Sequence, residues 1–163
     1  MCIVFWNEFS GPHPKPVIFH SIRVGLYLYS RGYGKDIVIA GLLHDLLEDS
    51  NITYQEIIQR FGAEVAELVQ ANSFDKNITD KEKRKNQTLA KCIKKGKSAL
   101  IIKATDILDN SYYYHLAKGQ NLKNLLMRKT NEFLEKSARF IKNEPPWQDL
   151  KQQLDKLSQK RNG

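Results

Sequence analysis

His44-Asp45-Leu46-Leu47-Glu48-Asp49 places one imidazole and three carboxylates within six residues, directly behind the almost wholly apolar residues 37–43. A chain with this run must fold so that charge enters apolar surroundings. Charge buried without a partner is very costly, so such a cluster binds a cation or performs acid–base chemistry. Read as one helix turning about 100° per residue, Gly41, His44, Asp45, Glu48 and Asp49 share an arc of roughly 140°. Leu42, Leu43, Leu46 and Leu47 cover the remaining circumference and anchor that helix in a core. Gly41, without a side chain in the middle of the arc, leaves room for a metal or substrate group to approach the backbone.

The rest of the chain reads as one soluble domain. Its 163 residues are enough for a single core. Hydrophobic residues make up 41% and charged ones 27%, which fits an ordinary globular protein rather than a disordered one. No apolar run approaches the ~20 residues of a membrane span. Met1-Cys2-Ile3-Val4-Phe5-Trp6 is too short, and lacks the basic start, for a secretory signal. Cys2 and Cys92 show no paired spacing, so a reducing cytoplasm is the expected setting.

The periodicity is helical throughout. Pro16 suits a first turn, and an apolar-periodic stretch follows it as far as Gly32-Tyr33-Gly34. Asp36 is placed to cap a second helix that runs through the acidic motif. Thr53-Tyr54-Gln55-Glu56 reads as a capping box for a short helix stopping at Phe61-Gly62. Another helix follows from Ala63 to Gln70. Residues 72–77 read as a loop, and Asp80 caps a basic helix ending near Gly96. Ser98 opens a long helix through Tyr114, and a further helix covers residues 124–142. Glu144-Pro145-Pro146 separates it from an amphipathic last segment. The expected fold is all-α: a single compact multi-helix bundle.

A metal at the motif needs ligands from other elements. His20 sits mid-helix in apolar company, and Asp106 interrupts the apolar residues 99–105, with Asn110 one turn further on the same face. Taken singly, His20 fits a hydrogen-bonded core histidine and Asp106 a partner for Lys103 or Arg23. Together with His44 and Asp45 they offer two nitrogens and two carboxylate oxygens. That set suits Mn, Fe, Co or Ni with open water positions better than a thiolate-preferring structural zinc site.

In the order His20, His44-Asp45, Asp106 the chain resembles the HD-domain metal-dependent phosphohydrolases. The likeness is greatest to the hydrolase domain of the RelA/SpoT family and its small free-standing relatives, which remove pyrophosphate from the 3′ position of guanosine tetraphosphate. It extends to His-Asp-x-x-Glu-Asp at residues 44–49, to the capped helix and Phe-Gly at residues 53–62, to Asp75-Lys76, and to Lys103, Asp106 and Asn110. The motif core spans about residues 10–114, with 115–163 as a C-terminal helical extension of the same domain. The resemblance implies that His20, His44, Asp45 and Asp106 hold a single Mn²⁺. It implies that Glu48 and Asp49 position and deprotonate the attacking water, and that Asn110 contacts ribose or phosphate. His13 and His115 fall outside the pattern, which argues for one metal rather than two.

The chain departs from that family at the front. Ser10-Gly11-Pro12 is present, but the Arg that precedes it in relatives and packs on the purine is missing, and Ser21 replaces a proline. Tyr112-Tyr113-Tyr114 could supply a substitute stacking surface or simply pack the core. The missing Arg favours a phosphohydrolase of another small nucleotide as the alternative. A non-catalytic helical module binding RNA or protein is the third reading, and the intact acids argue against it.

Charge is unevenly distributed. Residues 81–103 carry nine basic groups against Glu82, a local +8 that equals the net charge of the whole chain. A solvated helix face is the ordinary explanation. The alternatives are a nucleic-acid footprint, or a funnel for a polyphosphate with Lys83, Arg84, Lys85 and Lys103 as the candidate contacts. The expected partner is a small nucleotide rather than nucleic acid or a membrane.

Overall fold

The computed structural model describes residues 17–159. Pro16, Cys2, His13, Ser10-Gly11-Pro12 and the first six residues therefore lie outside the described part. Among the described residues all regular structure is helical. The order is α1 (Val17–Ser30), α2 (Lys35–Leu43), α3 (Leu46–Asp49), α4 (Tyr54–Phe61), α5 (Ala63–Asn72), α6 (Lys81–Lys95) and α7 (Lys97–Ser111). A single 3₁₀ turn at Tyr114–Leu116 leads into α8 (Gln120–Ile141) and α9 (Pro145–Gln159). No described helix is long and apolar enough to cross a membrane.

Local chemistry sets several boundaries. Thr53 accepts from the Glu56 backbone N–H while Glu56 reaches back to the Thr53 N–H, a complete capping box at α4. Asp80 caps α6 by accepting from the Glu82 and Lys83 backbone N–H groups. Gly62 (φ 91°) and Gly96 (φ 104°) join α4 to α5 and α6 to α7 with a backbone that side-chain-bearing residues rarely adopt. Asp36 does not cap α2. Gly34 holds that position, and Asp36 lies in the first turn, where its charge still complements the helix dipole.

α7 forms the centre. Ten of its fifteen residues are buried, and it packs against α1, α2, α5, α6, α8 and α9. A helix apolar on nearly every side has to be enclosed by others, and Leu100, Ile101, Ile102 and Leu108 provide that surface. Each fully buried side chain of this size contributes about 1.5–3 kcal/mol. α9 ties the far side together: Asp149 accepts from Tyr27 of α1, and the Trp147 indole N–H donates to the Leu134 carbonyl of α8.

The acidic motif is not one helix. α2 stops at Leu43, His44 and Asp45 form a turn, and α3 restarts at Leu46 with the Glu48 and Asp49 N–H groups on the Asp45 carbonyl. Asp45 has φ −90° and ψ −5°, which re-aims the chain between the two helices. Gly41 also differs from expectation. A Cβ there would come within 2.4 Å of Leu28 Cδ1, so its missing side chain admits α1 rather than a ligand.

Candidate active site

The site is assembled from three directions. α1 delivers His20, the α2–α3 turn delivers His44 and Asp45, and α7 delivers Asp106. His20, His44 and Asp106 are buried, and each offers a ligand atom within 4.8 Å of the other two. Asp45 closes the group, with Oδ1 3.2 Å from His44 Nε2 and Oδ2 3.8 Å from His20 Nε2. The imidazoles meet edge-on at a 5.1 Å centroid separation.

Hydrogen bonds on the outside of the site orient these groups. His44 Nδ1 lies 2.8 Å from the Gly41 carbonyl oxygen. A carbonyl only accepts, so Nδ1 carries a proton and Nε2 is the nitrogen presented inward. His44 Nε2 is buried and has no hydrogen-bond partner. Its neighbours there are the Asp45 and Asp106 carboxylates, 3.2 and 3.8 Å away, and a cation among these donors would bind all three groups. Asp106 Oδ1 is 3.2 Å from His20 Nε2 and accepts from Asn110 Nδ2 at 2.6 Å, while Oδ2 takes the Lys103 ammonium at 2.9 Å. The four groups therefore fit a divalent metal with mixed imidazole and carboxylate ligation.

The electrostatics agree. Burial alone would lower the His44 imidazole, but the Asp45 and Asp106 carboxylates beside it push it up to about 10. A cation entering the site would take the place of that proton. Burial would raise Asp106, yet Lys103, His20 and His44 hold it well below the usual carboxylate range.

Glu48 and Asp49 stand one turn beyond the four groups, at the start of a cavity of about 820 Å³. Burial pushes Glu48 up to about 7, although its Oε1 accepts the Phe74 backbone N–H at 2.7 Å. Asp49 is raised as well, by burial and then by the Asp45 charge.

The expected substrate contacts fall into different places. Arg84 and Lys85 line the cavity, but Lys83 is exposed and does not. Arg84 also donates to the Ile78 carbonyl and covers the Phe74 ring at 4.6 Å. Lys103 and Asn110 line the cavity while engaging Asp106. Other members of the basic stretch bind elsewhere: Lys95 pairs with Glu64 and Glu67, and Lys97 with Glu144. The three consecutive tyrosines also separate. Tyr113 and Tyr114 both line the cavity, Tyr114 buried with its hydroxyl 2.9 Å from Thr130 Oγ1, and Tyr112 is exposed.

Two groups of residues were not anticipated from sequence. Asp109 Oδ2 lies 2.6 Å from His20 Nδ1, and Asp109 accepts from Arg23 at 2.6 and 3.0 Å. The available signal was spacing, since Arg23 follows His20 and Asp109 follows Asp106 by three residues on the same helix faces. Lys118, Lys129 and Lys136 line the cavity wall built by the 3₁₀ turn and α8, too far along the chain for any motif to reveal.

The sequence pattern of the HD domain matches residues 5–107, well over half of the chain. The chain belongs to the HD-domain family. This HD domain is 38% identical over 98 residues to a guanosine-3′,5′-bis(diphosphate) 3′-pyrophosphohydrolase of Aquifex aeolicus (strain VF5), covering 59% of the chain and 14% of that protein. It is 32% identical over 103 residues to the Drosophila melanogaster guanosine-3′,5′-bis(diphosphate) 3′-pyrophosphohydrolase MESH1, covering 62% of the chain and 57% of that protein. The matched segments thus span well under two thirds of the length of these relatives. The fold matches a solved structure described as "A metazoan ortholog of SpoT hydrolyzes ppGpp and plays a role in starvation responses". The TM-score is 0.75 at 23% identity, over 93% of this chain and 84% of that one. It also matches lmo0812 from Listeria monocytogenes EGD-e with a TM-score of 0.73 at 24% identity, over 85% and 92% of the two chains.

Proposed function

We propose that this HD domain is a metal-dependent phosphohydrolase that removes pyrophosphate from the 3′ position of guanosine 3′,5′-bis(diphosphate). The observation that carries the reading is the convergence of His20, His44, Asp45 and Asp106, with His44 Nε2 turned inward among them and Glu48 lining the same cavity. The named relatives support the substrate class. A nitrogen–oxygen ligand set without thiolate supports Mn²⁺ as the resident ion.

A cation held by these four residues supplies positive charge that polarises the phosphoryl group and makes nearby water more acidic. Glu48 accepts the proton of the attacking water. Its Oε1 is taken by the Phe74 N–H, so Oε2 is the accepting oxygen, and an environment that raises this carboxylate makes it a competent base near neutral pH. Asp49 helps to orient the water. Water oxygen bonds to the phosphorus next to the ribose, the bond from that phosphorus to the 3′ oxygen breaks, and the proton taken by Glu48 returns through solvent to the 3′ oxygen, leaving a 3′ hydroxyl and free pyrophosphate. Asn110, Arg84 and Lys85 hold the diphosphate, joined by the cavity-lining Lys118 and Lys136, while Lys103 keeps Asp106 in place beside them.

Tyr113, Leu122 and Leu126 give the cavity an apolar wall in a chain that lacks the purine-packing Arg, so another small nucleotide in the same site is the second reading. Mn²⁺-loaded protein assayed against a nucleotide panel, with phosphate and pyrophosphate measured separately, tests both. Pyrophosphate release from guanosine 3′,5′-bis(diphosphate) is the expected result. Turnover of a different nucleotide favours the second reading, and turnover of none overturns both.

A further inference from the structure

His20 lies between two carboxylates. Its Nδ1 is 2.6 Å from Asp109 Oδ2, and its Nε2 is 3.2 Å from Asp106 Oδ1. An imidazole that ligates through one nitrogen has one N–H left to donate, so which acid accepts it decides which nitrogen can ligate. With the proton on Nε2, the ring donates to Asp106 and cannot ligate. With the proton on Nδ1, the Nε2 lone pair faces the site.

We propose that Asp109, clamped by Arg23, is the positioning residue that settles this competition and makes His20 a metal ligand; the proposal rests on the metal reading above. Asp109 holds the nearer contact, and Arg23 grips it with two bonds, Nε to Oδ1 at 2.6 Å and Nη2 to Oδ2 at 3.0 Å. A bidentate guanidinium fixes the carboxylate plane, so one lone pair stays aimed at Nδ1. Asp106 is the weaker claimant because its contact is longer, 3.2 Å against 2.6 Å. The arrangement also parallels His44, whose Nδ1 is occupied from outside the site by the Gly41 carbonyl. Both imidazoles therefore have the outer nitrogen engaged, one by a neutral acceptor and one by an ion-paired carboxylate. Arg23 extends the chain of contacts to the substrate cavity, since its guanidinium lies 5.4 Å from the centre of the cavity-lining Tyr113 ring.

The test uses full-chain protein stripped of metal, with two readouts that do not depend on turnover. Long-range ¹H–¹⁵N spectra report which ring nitrogen of His20 carries the proton, and calorimetry with Mn²⁺ reports affinity. Wild-type protein should keep Nδ1 protonated. Asp109→Ala should move the proton to Nε2 and weaken Mn²⁺ binding by about 10–100-fold, the usual weight of an outer-shell partner. The double variant Arg23→Leu/Asp109→Leu removes the ion pair without leaving a lone guanidinium, and it should behave the same way. Folded variants that keep the Nδ1–H form and wild-type affinity would reduce the pair to a tie between α1 and α7 and overturn the proposal. Wild-type protein that takes up no Mn²⁺ would instead overturn the metal reading, a failure visible before any variant is made.

Discussion

Glu48 titrates in an environment that raises it from an ordinary 4.5 to about 7, with burial as the main cause. The sign of the consequence is definite. A carboxylate raised on folding adds stability that is fully present below its unfolded value and is lost as pH rises through the folded one. In metal-free protein, Glu48→Gln should therefore gain about 1–3 kcal/mol over wild type as pH rises from 4.5 through 7, measured by denaturant unfolding. In the metal-loaded enzyme the same substitution should leave Mn²⁺ affinity near wild type while the rate falls by about 10²–10⁴. The wild-type rate should decline on the acid side, where Glu48 becomes protonated, and the variant's residual rate should lack that limb. Loss of metal by a folded Glu48→Gln would reassign the residue to ligation. At this scale the site was partly legible. His20 and Asp106 stood out because an imidazole and a carboxylate interrupt apolar runs. Asp109 did not, because an acid next to Asn110 at a helix end reads as solvated until α1 brings His20 and Arg23 against it.

Among the elements, the meeting of α1 and α2 decides where the motif sits. Gly25 and Gly41 let the two helices approach closely, but their surroundings differ. A Cβ on Gly41 would lie 2.4 Å from Cδ1 of the fully buried Leu28 and 3.4 Å from Cγ1 of Val24, so the packing there has little room to relax. A Cβ on Gly25 would meet Leu42, whose side chain is 38% exposed and can swing into solvent. Gly41→Ala should therefore cost about 1–3 kcal/mol by overpacking, and Gly25→Ala should cost clearly less, as read by denaturant midpoints. Equal costs would show that the helices shift as rigid bodies. Helix existence was legible nearly everywhere from capping residues and glycines. The break at His44-Asp45 was not, since nothing in that sequence forbids a continuous helix, and tertiary packing makes the turn.

Across the whole molecule the cavity is electrically divided. Asp45, Glu48, Asp49 and Asp106 gather at the metal end, while Arg84, Lys85, Lys118, Lys129 and Lys136 line the walls with Glu132 as the opposing acid. α8 supplies Lys129 and Lys136 of this basic wall from beyond the HD-domain match, while Arg84 and Lys85 lie within it. Lys129 is already held by Glu82 at 2.6 Å and Glu132 at 3.3 Å, which leaves Lys118 and Lys136 as the better-placed partners for a phosphate. Lys103 is a different case, because its ammonium lies 2.9 Å from Asp106 Oδ2 and holds a candidate ligand in place. Lys118→Ala/Lys136→Ala should raise KM with little change in kcat. Removing one charge-assisted hydrogen bond to a phosphate should weaken binding by about 1.5–3 kcal/mol. The wild-type KM should itself rise between low and high salt, since exposed charges are screened beyond about 10 Å at 0.1 M. Lys103→Met should instead lower kcat and Mn²⁺ affinity, because Asp106 loses the cation that offsets its burial. Unchanged KM in the double lysine variant, with no salt dependence, would return the basic wall to an ordinary solvated face and leave the metal end to bind the substrate alone.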